Sequence, residues 1–137
     1  MVQSKNILFK KEYAKQLFEI AKGDLDTAAA LLAAASPGRV ENILYMIQQS
    51  VEKSLKSVLI HKQISFPMVH DLGILIALLP VDDYPPGGFD WAELNPYASV
   101  RRYEAGSLPI SNEEVQAAFK ATQLVHGWVV VQFQKKV

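Results

Sequence analysis

One stretch constrains this chain more than any other: Ile47 to Ile60, reading IQQSVEKSLKSVLI. Ile47, Val51, Leu55 and Val58/Leu59 recur at three- and four-residue steps, the period of an α-helix carrying one apolar stripe. Gln48, Gln49, Glu52, Lys53 and Lys56 fill the positions between. Gln48 therefore stacks over Glu52 and Gln49 over Lys53, one helical turn apart. Such a polar rim has three uses: it does chemistry, it binds a ligand, or it keeps a bundle in solution.

Other helices can be placed around this one. From about Lys11 to Ala35, Leu17, Ala21, Leu25, Ala28, Ala29 and Leu32 form the stripe of a long first helix, and its alanines allow close helix approach. Ser36-Pro37-Gly38 ends it and can start the second helix, about Val40 to Lys62, with Ser36 as N-cap and Pro37 at the first position. So short a connection predicts antiparallel neighbours. Gln63 to Pro67 closes the second helix, because proline cannot continue it. His70-Asp71-Leu72 opens a shorter helix that ends near Leu79-Pro80, with Asp71 placed to meet the unpaired amides of its first turn. The loop VDDYPPGGFD follows, then a modest helix from Trp91 to about Arg101, with Asn95-Pro96 as its point of interruption. Ser111 and Glu114 read as a capping box for a last helix reaching about Gln134, with Val115, Ala118, Phe119, Thr122, Val125, Val129 and Phe133 facing inward.

The predicted fold is all-α: an up-and-down bundle of four main helices plus one short helix. Residues 1–10 lack periodicity and form a loose N-terminal arm or helix lead-in, and residues 11–137 form a single helical domain. A chain of 137 residues suits one domain and buries roughly two-thirds of its unfolded surface. Fourteen Lys and Arg against fourteen Asp and Glu leave no global field to attract nucleic acid, so any such binding needs a local patch. Cysteine is absent, which removes disulfides and thiolate metal sites, and His61, His70 and His126 lack metal-ligand spacing. No metal and no cofactor is expected. With no signal-like or membrane-spanning run, the expected location is the cytoplasm.

Several marks then line up along the chain. Asp24-Leu25 with Ala28 lies on the first helix, Gln49 through Glu52-Lys53 to Lys56 on the second, His70-Asp71-Leu72 on the third, and Arg102-Tyr103 before the last. In this order they resemble the HEPN domain family (higher eukaryote and prokaryote nucleotide-binding), whose members are helical bundles, often homodimeric, with a QQxxEKxxKA-like second helix, an HDL-like element and an RY-like element. The resemblance spans about residues 11 to 134.

One branch of that family consists of metal-independent ribonucleases, including toxins of toxin–antitoxin pairs, marked by an arginine, four to six intervening residues, and then a histidine. Five to seven residues after Arg39 come Leu44, Tyr45 and Met46; after Arg101 and Arg102 the same window holds Gly106, Ser107, Leu108 and Pro109. The ribonuclease signature is absent, and with it the strongest reason to assign catalysis. The chain looks more like the non-catalytic branch, which is often encoded beside small nucleotidyltransferases. The resemblance implies a homodimer that binds a nucleotide or serves a nucleotidyltransferase partner.

Lys53, Lys56, Arg101 and Arg102 are the candidates for clamping phosphate oxygens, lysine as a point charge and arginine as a two-toothed fork. Against this stands an ordinary solvated face with Glu52 and Lys56 as a four-apart pair. Gln49 lies on the same rim. Tyr103 offers a ring for stacking on a base. His70 is a candidate acid or base near Arg102, without an evident partner; paired with Arg102 it gives the alternative reading, a divergent metal-independent ribonuclease acting on RNA. His61 and His126 read as structural. Leu124, Trp128 and Val130 lie off the main stripe of the last helix and suggest a homodimer face.

Overall fold

A computed structural model describes residues 5–34, 40–86, 89–98 and 111–136. Its elements in order are β1 (Asn6–Ile7), α1 (Tyr13–Ala33), α2 (Val40–His61), β2 (Phe66–Pro67), α3 (Leu72–Ala77), a 3-10 turn at Val81–Asp83, a longer 3-10 helix at Trp91–Ala98, and α4 (Asn112–Gln134). The fold is the expected all-α bundle.

The stripe residues Leu17, Ala21, Leu25 and Ala28 of α1 pack on Ile43, Ile47, Val51, Leu55 and Val58 of α2, and Val115, Ala118, Val125 and Val129 of α4 complete the core. Full burial of each Leu, Ile or Val contributes roughly 1.5–3 kcal/mol before entropy is charged against it. Side-chain contacts give the directions. Ser50 meets His126 and His61 meets Lys135, so α2 and α4 run parallel. The chain must therefore travel back between them, and it does so through α3 and the 3-10 helix rather than through one long helix. Pro96 lies inside that 3-10 helix. The α-helix expected from Trp91 is thus a tighter 3-10 run, since a proline removes one amide donor from the ladder.

Helix α2 is the axis of the molecule. The apolar stripe read from the sequence is present, but burial extends almost around the helix, over Gln48, Ser50, Glu52, Ser54, Lys56 and Ser57 as well. The expected solvated rim is largely interior, because α1, α3, α4 and the 3-10 helix surround this one element. Ser50, Ser54 and Ser57, at i, i+4 and i+7, line one face of it and are small enough to let a neighbour approach.

The end of α2 falls at His61, within a residue of the expected Lys62. Gln63 adopts φ 58°, and the amides of Gln63 and Ile64 bond to the carbonyls of Ile60 and Leu59 at 3.0 and 2.9 Å. This is the Schellman closure, with glutamine where glycine is usual. The side chain of Gln63 helps to hold it, donating to the Ile60 carbonyl at 2.8 Å and to the Phe9 carbonyl at 3.2 Å.

The lead-in residues are docked rather than loose. Asn6 and Ile7 pair antiparallel with Pro67 and Phe66. Phe9 stacks on both Tyr13 and Phe66, each at 5.5 Å between ring centroids. As expected, Ser111 caps α4 by accepting from the Glu114 amide at 3.1 Å, and Asp71 caps α3 by accepting from the Ile74 amide at 3.2 Å.

Candidate functional site

The polar residues of α2 converge on one buried carboxylate. Glu52 Oε1 accepts from Gln48 Nε2 at 3.1 Å and from His70 Nδ1 at 2.8 Å; Oε2 accepts from Lys56 Nζ at 3.0 Å. Gln48 also donates to the His70 carbonyl at 3.1 Å, and its own oxygen accepts from Gln49 Nε2 at 2.7 Å. The cluster follows from spacing: Gln48, Glu52 and Lys56 are successive i, i+4 neighbours on one helix face. His70 reaches them because α2 closes at Gln63 and the chain doubles back through β2. Backbone and ring of His70 are thus both held by α2, while Asp71 begins α3 immediately after.

This geometry fixes a tautomer. A carboxylate can only accept, so Nδ1 of neutral His70 carries the proton and Nε2 keeps its lone pair. The Glu52 side chain is 5% exposed and the His70 side chain 67% exposed. A buried acid orients an imidazole whose other nitrogen faces outward, the relation found wherever an acid positions a histidine base. Nothing local in the residues points to this partner, since 18 residues and a chain reversal separate the two. The available signal was a glutamate between Gln48 and Lys56 in mid-helix.

The two lysines expected to clamp phosphate already have partners. Lys56 is buried against Glu52, and Lys53 Nζ donates to Asp24 Oδ2 on α1 at 2.6 Å. Both line a pocket of about 140 Å³ beside α2, with Glu52 between them and Phe9, Tyr13, Leu17, Phe66 and Met68 as its apolar walls. Lys56 Nζ also lies 5.9 Å from the centroid of the Phe66 ring. The pocket is therefore close to charge-neutral. Of the sequence candidates, Gln49, Lys53, Lys56 and His70 gather around Glu52; Arg39, Arg101, Arg102 and Tyr103 lie outside the described residues.

A second polar cluster sits on another side of α2. Ser50 Oγ donates to the Ala21 carbonyl at 2.7 Å and lies 2.7 Å from His126 Nε2. Ser50 has one hydroxyl proton, already given to Ala21, so His126 Nε2 must be the donor. Burial, then the nearby positive charge of Lys22, lowers the His126 pKa below its usual value, with Asp26 opposing. The serine is fully buried. With its proton committed and no access, this Ser–His contact ties α1, α2 and α4 together and is not a nucleophile with its base. Near the far end of α4, the Asp83 carboxylate holds both Lys62 and Lys135, while its carbonyl takes the Trp128 indole N–H at 3.2 Å. The two ammonium groups hold the Asp83 carboxyl below its ordinary pKa, Lys135 contributing most.

The order of these elements, with a glutamine–glutamate–lysine helix anchoring a His-Asp-Leu turn, agrees with one further finding. The profile of the HEPN domain matches residues 14–136. The chain belongs to the HEPN domain family. No curated protein and no solved structure gives a match to it. At the level of the family, a HEPN domain carries a nucleotide- or RNA-related function. Among the described residues, no helix of this HEPN domain is long and apolar enough to cross a membrane, and no group of three or more His, Asp or Glu side chains is placed to hold a metal ion.

Proposed function

We propose that this HEPN domain is a non-catalytic, homodimeric module that binds a nucleotide and serves a nucleotidyltransferase partner in a two-gene, toxin–antitoxin-like pair in the cytoplasm. The observation that carries the nucleotide half is the pocket between Phe9, Tyr13, Met68 and the lysines of α2. Its aromatic and aliphatic walls suit the flat face of a base, and stacking of this kind is worth about 1–3 kcal/mol per base. Because Lys53 and Lys56 are neutralised by Asp24 and Glu52, the pocket favours a base over a phosphate. The phosphates then fall to Arg101 and Arg102, with Tyr103 as a further stacking ring. His70 Nε2 and Gln49 stand at the polar edge as hydrogen-bonding groups. The homodimer half draws on Leu124, Val130 and Val131 of α4, all large, apolar and exposed.

Calorimetric titration of ATP, GTP and their nucleosides tests the ligand. Nucleosides should keep a measurable part of the affinity, and Tyr13→Leu should weaken every one of them about tenfold, the equivalent of one lost stacking contact. Absence of binding by all of them removes the nucleotide half. The partner half fails separately, if a co-encoded nucleotidyltransferase does not co-purify with the chain. Sedimentation of wild type beside Leu124→Glu decides the dimer.

A second reading is favoured by the Glu52–His70 contact. A divergent, metal-independent ribonuclease would use His70 Nε2 to take the proton of a ribose hydroxyl while Arg102 stabilises the charge that develops on phosphorus-bound oxygen. This reading requires RNA cleavage in chelator, abolished by both His70→Ala and Arg102→Ala. Activity that persists in both variants rules it out.

A further inference from the structure

Away from α2, a second cavity opens between α3 and the start of the 3-10 helix. It measures about 400 Å³, within the usual range for small-molecule sites. Gly73 and Ala77 keep one side low, and Tyr84, Phe89 and Trp91 form the others, with Asp90 at the rim. The Phe89 and Trp91 rings meet at 48° with centroids 4.8 Å apart, which makes an aromatic corner rather than a stack. The Asp90 carboxylate spends one oxygen on the Ala92 amide at 3.2 Å. Among the described residues, no basic side chain lines the cavity.

The charge of the surrounding chain has the same sign. From Gln63 to Val100 there is no lysine or arginine, yet Asp71, Asp82, Asp83, Asp90 and Glu93 all fall in that span, in a chain whose overall balance is zero. Asp83 is neutralised by Lys62 and Lys135. Asp90 has no such partner among the described residues. Ring faces are the negative part of an aromatic quadrupole, so three rings and one carboxylate around an open cavity attract a weakly hydrated cation and repel an anion. A phosphate or nucleic-acid strand is the wrong ligand for this surface. A metal ion is equally unsuited, because one carboxylate among ring faces supplies too few hard donors.

We infer that this cavity is a binding site for the quaternary or methylated ammonium head of a small molecule, separate from the α2 site and sharing no residue with it. Phe89, backed by Trp91, of which only 6% is exposed, supplies the corner that receives the methyl groups, Tyr84 supplies the third wall, and Asp90 supplies the counter-charge. The small residues Gly73 and Ala77 admit the bulk of a trimethylated head.

The test uses the full chain and choline, with 3,3-dimethylbutan-1-ol as the neutral isostere, followed through the Trp91 indole N–H by NMR. Choline should bind at least about tenfold more tightly than the alcohol, the size of a desolvated cation–π contribution. Asp90→Asn, which keeps an oxygen for the Ala92 amide, should weaken choline several-fold and leave the alcohol unchanged. Phe89→Leu should remove the preference for the cation; should it fail to fold, Asp90→Asn still decides. A peptide bearing trimethyllysine should bind more weakly than choline, and tighter binding would overturn the small-molecule assignment in favour of a protein tail. Equal affinity for choline and the alcohol, an undisturbed Trp91 signal, or an Asp90→Asn variant that binds choline as wild type does would each overturn the proposal.

Discussion

His70 and His126 each lie one hydrogen bond from a buried polar residue of α2, yet they are built in opposite senses. His70 gives its Nδ1 proton to Glu52 and leaves Nε2 without a partner among the described residues, with most of its side chain exposed. His126 gives its Nε2 proton to Ser50 and is half-buried between helices, edge-on to Phe18 at 5.3 Å. The comparison teaches that a polar partner does not make a histidine functional. What separates the two is whether the nitrogen left over can meet a ligand. His126 has spent its chemistry on holding three helices; His70 has been positioned with some left.

The comparison can be broken first at Glu52. Glu52→Ala should destabilise the fold by about 3–5 kcal/mol, because it leaves the buried Lys56 ammonium without a counter-charge. Chemical denaturation measures this, and a loss under about 1 kcal/mol would mean that Lys56 escapes to water instead. Ser50→Ala comes next, at about 1–3 kcal/mol, since the Ala21 carbonyl and the half-buried His126 ring both lose their partner. Double mutation of Ser50 and His126 should cost less than the sum of the two single changes.

The third effect is on pH. The folded pKa of His126 is lowered from 6.5, so the unfolded chain binds more protons between the two values. Stability should therefore be fully present above pH 6.5, fall as pH drops through that window, and level off once the folded form is protonated too. His126→Gln should flatten this limb of the profile, and Lys22→Ala should move it to higher pH. A profile unchanged by His126→Gln would remove the staple account. Last and smallest, His70→Ala should change stability by less than about 1 kcal/mol, as an exposed partner contributes little. A larger loss would make His70 a staple too, and the contrast between the histidines would vanish.

The bundle was legible from the residues because its signals are local. Stripe spacing in α1, α2 and α4, the Ser111 and Asp71 caps, and the break after α1 all act within a few residues of where they are read. The interior of α2 was not legible. Gln48, Glu52 and Lys56 have the composition of a solvated face, and only the packing of α1, α3, α4 and the 3-10 helix around them puts that face inside. Periodicity reports one apolar side and is silent about how many neighbours a helix has. The Glu52–His70 contact was hidden for the same reason, being made by a chain reversal that turns on an unusual left-handed glutamine rather than on glycine. The stretch Gln63 to Pro67 marked where α2 ends, but not that Gln63 itself makes the turn.

The docked lead-in has a practical side. The family match starts at residue 14, whereas Phe9 and Tyr13, which wall the pocket beside α2, come before it. A protein trimmed to the matched region would keep every long helix and every contact of Glu52, and would still melt as a bundle. It would nonetheless present an open shelf where the intact chain has a slot. Binding assays on such a trimmed protein would return a negative result that says nothing about the whole chain.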